Sequence, residues 1–275
     1  MPPSDERRFH CLADARARLA RSALVNAVMG LLLLTLLAHL LAGWMGLGGW
    51  AALKSAAVYA VVLGWLSRQL PGHLPHPRLF PANQVTLLRL GLTALLAGWI
   101  GEPLDLDSWR PALVAALILV LDGLDGWLAR RGGWASAFGA RFDMETDALL
   151  VLVLAALIFS QDKAGHWILL IGLARYLFLA SARIWPWLNR PLPPSRRRQT
   201  FCVLIVLTLL LTLTPPIQPP ASMGLAALGL VFVGYSFAVD LWWLWRQGPE
   251  RAQPRRRSPK PAPIRGDQAS DGTQA

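Results

Sequence analysis

The chain has 275 residues, 54% of them hydrophobic, with a mean hydropathy of +0.41. Its charges gather in short blocks between apolar runs, which places it in the membrane class. The formal charge of +11, from 27 basic against 16 acidic residues, marks cytoplasmic loops and contacts with anionic membrane lipid. No nucleic-acid partner is expected, because no soluble segment interleaves aromatic and basic residues.

Met1 to Arg21 carries Arg7, Arg8, Arg16, Arg18 and Arg21 and reads as a cytoplasmic arm, with a short amphipathic helix at its end. Ala23 to Leu47 is the first predicted span, since about 20 apolar residues cross a bilayer. It lacks a small-residue cleavage site and is followed by further spans, so it reads as a retained helix. Trp50 to Leu66 is the second span, with Lys54 near its outer end, where the side chain can snorkel. A break rich in Pro, His and Arg follows, Arg68 to Pro81.

Ala82 to Ile100 is the third span. Asn83, Thr86 and Arg89 recur every third residue and so share one face. Polar residues on such a helix face protein or a ligand; helix–helix hydrogen bonding with a snorkelling arginine fits the pattern equally well. The loop Gly101 to Arg110 holds Glu102, Asp105 and Asp107, on the side of the membrane away from the other acids, and reads as solvated charge. Pro111 to Ala129 and Asp143 to Phe159 are the fourth and fifth spans, and Gln161 to Gly165 is an outer turn. His166 to Trp185, the sixth span, places Arg175 near mid-membrane, facing a polar cavity or an acid of the site, or paired with one of the aspartates.

Asn189 to Thr200 is a cytoplasmic loop with Arg196, Arg197 and Arg198. Phe201 to Leu213 is short for a seventh span unless it begins within that loop. The eighth runs from Ser222 to Trp245, with Asp240 near its inner end as a helix-packing partner without assigned chemistry. Gln247 to Ala275 reads as a disordered tail. Basic loops alternate with acidic or uncharged ones at every turn, so eight spans with both termini inside satisfy the charge rule. The expected architecture is an all-α, polytopic transmembrane helical bundle. Its expected parts are an arm (1–22), two extra spans (23–81), a core (82–246) and a tail (247–275). Cys11 and Cys202 lie in different settings, with no disulfide or metal-ligand partner in prospect.

One stretch stands out, Asp122 to Asp147, DGLDGWLARRGGWASAFGARFDMETD. Asp122 and Asp125 are three apart, Asp143 and Asp147 four apart, so each pair shares a helix face. Gly132 and Gly133 offer a turn between the helices, and all four carboxylates can converge at one end of a hairpin. Four anions together imply a cation, and oxygen-only ligands suit Mg²⁺ or Mn²⁺. Gly126 and Ala129 leave space beside the metal, while Arg130 offers a fork suited to phosphate. These features describe a site for a diphosphate. Two spaced acid pairs flanking a Gly/Arg turn are not the pattern of a merely solvated loop.

The stretch resembles the signature of the CDP-alcohol phosphatidyltransferase family, D-x2-D-G-x2-A-R-x8-G-x3-D-x3-D. Asp122, Asp125, Gly126, Ala129, Arg130, Gly139, Asp143 and Asp147 fill every fixed position. The resemblance covers about Ala82 to Trp245 and implies a six-helix core. It implies transfer of a phosphatidyl group from a CDP-linked lipid such as CDP-diacylglycerol to a small alcohol, with release of CMP, in phospholipid synthesis. By the same resemblance Asp122, Asp125 and Asp143 hold the metal, and Asp147, also near the metal, is the general base. Asn83, Thr86, Asp122, Gly126, Ala129 and Arg130 would line the CDP site, with Arg89 a weaker candidate. Arg175, Arg196 and Arg197 would meet a phosphate on the acceptor, and a homodimer is implied by the family alone.

Members using glycerol 3-phosphate place a basic residue after the last aspartate and a proline after the third. Here those places hold Ala148 and Met144, which leaves the acceptor open. Two other classes are carried as alternatives: a transporter, which would show an internal repeat that is not seen, and a catalytically silent scaffold, which has no need of four clustered carboxylates.

Overall fold

Lipid offers no water to a spanning backbone, so each apolar run must satisfy its own amides as a helix. The computed structural model describes residues 3–247 except 75, 77, 78, 106, 107, 133–135, 191 and 194; for residues 3–13, 129 and 130 it describes the backbone alone. Among these residues there are eight α-helices and no strand. They are α1 (Pro3–Met45), α2 (Trp50–Ser67), α3 (Pro81–Gly98), α4 (Arg110–Gly132), α5 (Ala137–Ser160), α6 (Leu169–Ile184), α7 (Arg196–Leu213) and α8 (Ala221–Arg246).

Five segments are long and apolar enough to cross a membrane: Asp14–Met45, Trp50–Ser67, Arg110–Leu128, His166–Ile184 and Ala221–Arg246. The other three helices, α3, α5 and α7, carry more polar side chains and bury many of them against protein. Asn83, Thr86, Arg89 and Thr93 are buried on α3, Thr146 on α5, and Thr208 and Thr212 on α7. Helix α3 packs against α1, α2, α4 and α5, and α5 packs against α3, α6 and α7. Polar content thus concentrates where neighbouring helices replace lipid, and the molecule is a polytopic helical bundle.

Several boundaries differ from the sequence expectation for local reasons. The basic arm is not separate from the first span: α1 is one helix of 43 residues. Helix α5 starts six residues before Asp143 because Ser136 caps it, its hydroxyl accepting from the Gly139 amide at 3.0 Å. Helix α7 starts at Arg196, so the arginine run supplies the turn that the apolar segment lacked. The expected tail beyond residue 247, Asp107 and Gly133 lie outside the described residues, as do the side chains of Arg7, Arg8 and Cys11.

The helices are held at close range. A Cβ on Gly172 of α6 would fall 2.5 Å from the Leu152 Cα of α5, so only glycine permits that approach. Glu102, expected to be solvated, is instead clamped: it accepts from Lys54 Nζ at 2.6 Å and from the Gly48 amide at 2.8 Å. Lys163, in the turn after α5, is 1% exposed and donates to the Thr212 and Thr214 carbonyls at 3.2 and 2.7 Å, which satisfies the end of α7.

Candidate active site

Three helices meet at one end of the bundle: the start of α3, the end of α4 and the start of α5. The three-residue spacing on α3 turns Asn83, Thr86 and Arg89 inward, where they are 3%, 3% and 1% exposed. Helix α4 brings Asp122 and Asp125, and α5 brings Asp143 and Asp147. All four carboxylates close on the Arg89 guanidinium. Arg89 Nη1 reaches Asp125 Oδ2 at 2.7 Å and Asp143 Oδ1 at 2.6 Å, while Nη2 reaches Asp122 Oδ1 at 2.6 Å and also pairs with Asp147 Oδ1.

One guanidinium among four carboxylates leaves a surplus of three negative charges if all are ionised, crowded at short range about one buried arginine. Asp122, Asp143 and Asp147 answer that surplus with geometry: each offers a carboxylate oxygen, and these oxygens lie within 4.8 Å of one another. An all-carboxylate donor set fits a hard divalent cation. Asp125 stands apart from this group. It is 5% exposed, and its Oδ2 also lies 3.1 Å from the Thr86 hydroxyl, which is equally near the Ala82 carbonyl. Two buried donors around the site, Arg89 Nε and Asn83 Nδ2, have no hydrogen-bond partner among the described residues.

The signature glycine has a physical reason. A Cβ at Gly139 would lie 2.7 Å from Asn83 Oδ1 and 3.2 Å from the capping Ser136 hydroxyl. Its absence lets the first turn of α5 close on α3. Ser136 also pairs with His73 Nδ1 at 3.0 Å, from the short 3₁₀ turn Leu70–His73 near the start of the α2–α3 connection.

The expected CDP-site residues Asn83, Thr86 and Asp122 are thus brought together, and Gly126 is half-buried one turn beyond Asp122. The side chains of Ala129 and Arg130 lie outside the described residues. The arginines expected to meet an acceptor phosphate are not gathered. Arg175 pairs with Glu145, not with one of the aspartates, because Glu145 lies on the side of α5 that meets α6. Arg197 pairs with Asp240 and donates to the Ser236 carbonyl at 3.2 Å, tying α7 to α8, while Arg196 is exposed. Asp240 is therefore the packing partner expected of it. Sequence reasoning undervalued Arg89 and passed over Glu145. The Asn-x-x-Thr-x-x-Arg spacing was the signal for the first; Glu145 had none.

A family model of CDP-alcohol phosphatidyltransferases matches residues 79–239, more than half of the chain. The chain belongs to this family. It is an integral membrane enzyme of phospholipid synthesis that transfers a phosphatidyl group from a CDP-linked lipid. It is similar, at 28% identity over 169 residues, to the CDP-diacylglycerol–glycerol-3-phosphate 3-phosphatidyltransferase of Pseudomonas fluorescens, a match covering 58% of this chain and 84% of that relative. No solved structure matches it significantly.

Proposed function

We propose that the protein takes CDP-diacylglycerol as donor and a small phosphorylated alcohol, glycerol 3-phosphate foremost, as acceptor, releasing CMP at the cytoplasmic face with Mg²⁺ or Mn²⁺ bound. The observation that carries this reading is the convergence of Asp122, Asp143 and Asp147 around one buried arginine. Asp122, Asp143 and Asp147 hold the ion, and Asp125 supports it by fixing Thr86 and Arg89. When bound, the metal neutralises diphosphate charge and makes the phosphorus a better electrophile. Asn83 directs its unpartnered amide at the nucleotide, Gly126 and Ala129 leave room for it, and Arg130 binds a diphosphate oxygen.

Asp147 takes the proton of the acceptor hydroxyl on the oxygen that Arg89 leaves free. The acceptor oxygen then bonds to the phosphatidyl phosphorus, and the bond from that phosphorus to the bridging oxygen breaks. CMP departs with the bridging oxygen. The choice of glycerol 3-phosphate is supported by the relative's named activity. Met144 and Ala148 depart from the usual pattern of such enzymes, so the acceptor is tested against a panel.

Purified protein is assayed for CMP release from CDP-diacylglycerol with glycerol 3-phosphate, serine, inositol and inositol phosphate. Release is expected with glycerol 3-phosphate, lost on chelation, restored by Mg²⁺ or Mn²⁺, and lowered about 10²–10⁴-fold in Asp147→Asn. Release driven by another alcohol would replace the acceptor. Full activity in Asp147→Asn would remove the general-base role.

A further inference from the structure

Away from the carboxylates, a cavity of about 590 Å³ opens between α1, α2, α3 and the first turns of α5. Its walls are apolar: Leu19, Leu63, Leu87, Phe138 and Phe142 are among them, and among the described residues Arg16 is the one charged residue that lines it. Small residues make the space. Helix α1 places Ala20, Ala23 and Ala27 there and α2 places Gly64, where an added Cβ would meet nothing within 4 Å. Leu24, at the rim, is 63% exposed, so the cavity opens sideways to whatever surrounds α1. Helix α5 separates it from the active site: Phe142 faces the cavity while the adjacent Asp143 holds Arg89.

An apolar cavity does not retain water well, and its volume lies within the roughly 300–1,000 Å³ of ordinary ligand pockets. In a membrane protein the apolar molecules at that depth are lipid chains. The charge is distributed as an amphiphile would require, with Arg16 exposed, without an ion pair among the described residues, near the N-terminal end of the apolar segment Asp14–Met45. A guanidinium there binds phosphate, and the basic surplus of the chain favours anionic lipid. We propose that the cavity holds an anionic phospholipid of the surrounding bilayer, one acyl chain between α1 and α2 and the phosphate on Arg16, as a site separate from that of the donor. The bound chain braces Phe138 and Phe142, and through them the helix that carries Asp143 and Asp147. The inference does not rest on the choice of acceptor.

The test is photolabelling of the purified full-length protein with phosphatidylglycerol carrying an acyl-chain diazirine, mapped by peptide mass spectrometry. Labelling is expected on residues 19–27 and 63–71. It should fall at least fivefold in Gly64→Phe, and in Ala23→Leu as a milder filling variant, while labelling of the exposed Leu32, Leu36 and Leu40 face is unchanged. Arg16→Gln should remove the preference for phosphatidylglycerol over the phosphatidylcholine analogue. Labelling that is uniform along α1, or unaffected in both filling variants, would overturn the site. Labelling displaced by CDP-diacylglycerol equimolar with the protein would assign the cavity to the donor and overturn it as a separate site.

Discussion

Arg89 determines how the active site is held before any cation arrives. Its guanidinium is 1% exposed and spans both acid pairs, so it sets the spacing of α4 against α5. Removing one partner of a buried ion pair strands the others, at about 3–5 kcal/mol. Because Asp143 and Asp122 keep part of their surface, the lower end of that range applies, and Arg89→Gln is expected to cost about 3 kcal/mol. The same change leaves a more negative site, so Mg²⁺ should raise the melting temperature of Arg89→Gln in detergent more than that of the wild type. An equal rise in both would show that the metal does not share the carboxylates with Arg89. Gly139→Ala is expected to displace Asn83 and reduce activity at least tenfold, read as CMP release, with the protein still folded. The four aspartates were readable from their spacing, and Gly139 only as a fixed position of the family signature. Arg89 was only half readable: spacing assigns a residue to a face, but which partners cross to that face depends on helices distant in sequence.

At the scale of elements, the apolar runs translated into helices nearly one for one, since lipid leaves a backbone no other choice. Helix starts were less readable, because capping by Ser136 and continuation through Arg196 depend on single side chains and on charged residues that hydropathy counts as loop. Among the loop acids, Glu102 departs from expectation for a related reason. Glu102 looks solvated in sequence, yet it joins the α1–α2 turn to the α3–α4 loop through Lys54 and Gly48. The Lys54 hydrogen bond, more than the Gly48 amide, holds its carboxyl below the usual glutamate range. A carboxyl depressed in the folded state contributes stability that is fully present above its unfolded pKa and lost as pH falls through the folded value. The wild type should therefore melt above Glu102→Gln by a constant margin from pH 7 down to about 5, and the margin should close at more acidic pH. Since Lys54 is 36% exposed, the margin corresponds to about 1 kcal/mol or less. A margin that survives full protonation would assign the effect to packing instead of charge.

For the whole molecule, the helices alternate in direction along the chain, which gathers the start of α3, the end of α4, and the starts of α5 and α7 at one end. That end carries both the carboxylates and the basic segments Arg68, Arg141 and Arg196–Arg198; the opposite end carries Glu102, the Lys163 turn and Pro215–Pro220. By the positive-inside rule, the proposed function expects the bundle to turn its acids toward the cytoplasm, where cytidine nucleotides are made available. The sequence carries the same expectation, because loop charge and loop parity are both written along the chain. In a Cys11→Ser, Cys202→Ser background, Gln199→Cys at the start of α7 should react with a membrane-impermeant maleimide only after the cytoplasmic face is opened. Gln218→Cys, exposed in the turn between α7 and α8, should react in intact cells. The reverse pattern would put the carboxylates on the outer face, away from CDP-diacylglycerol in the cytoplasmic leaflet, and would set the charge rule against the proposed reaction. Equal labelling of both positions in intact cells would mean that α7 does not separate the two faces, and that the helix carrying the arginine run at its start lies within one side of the bilayer.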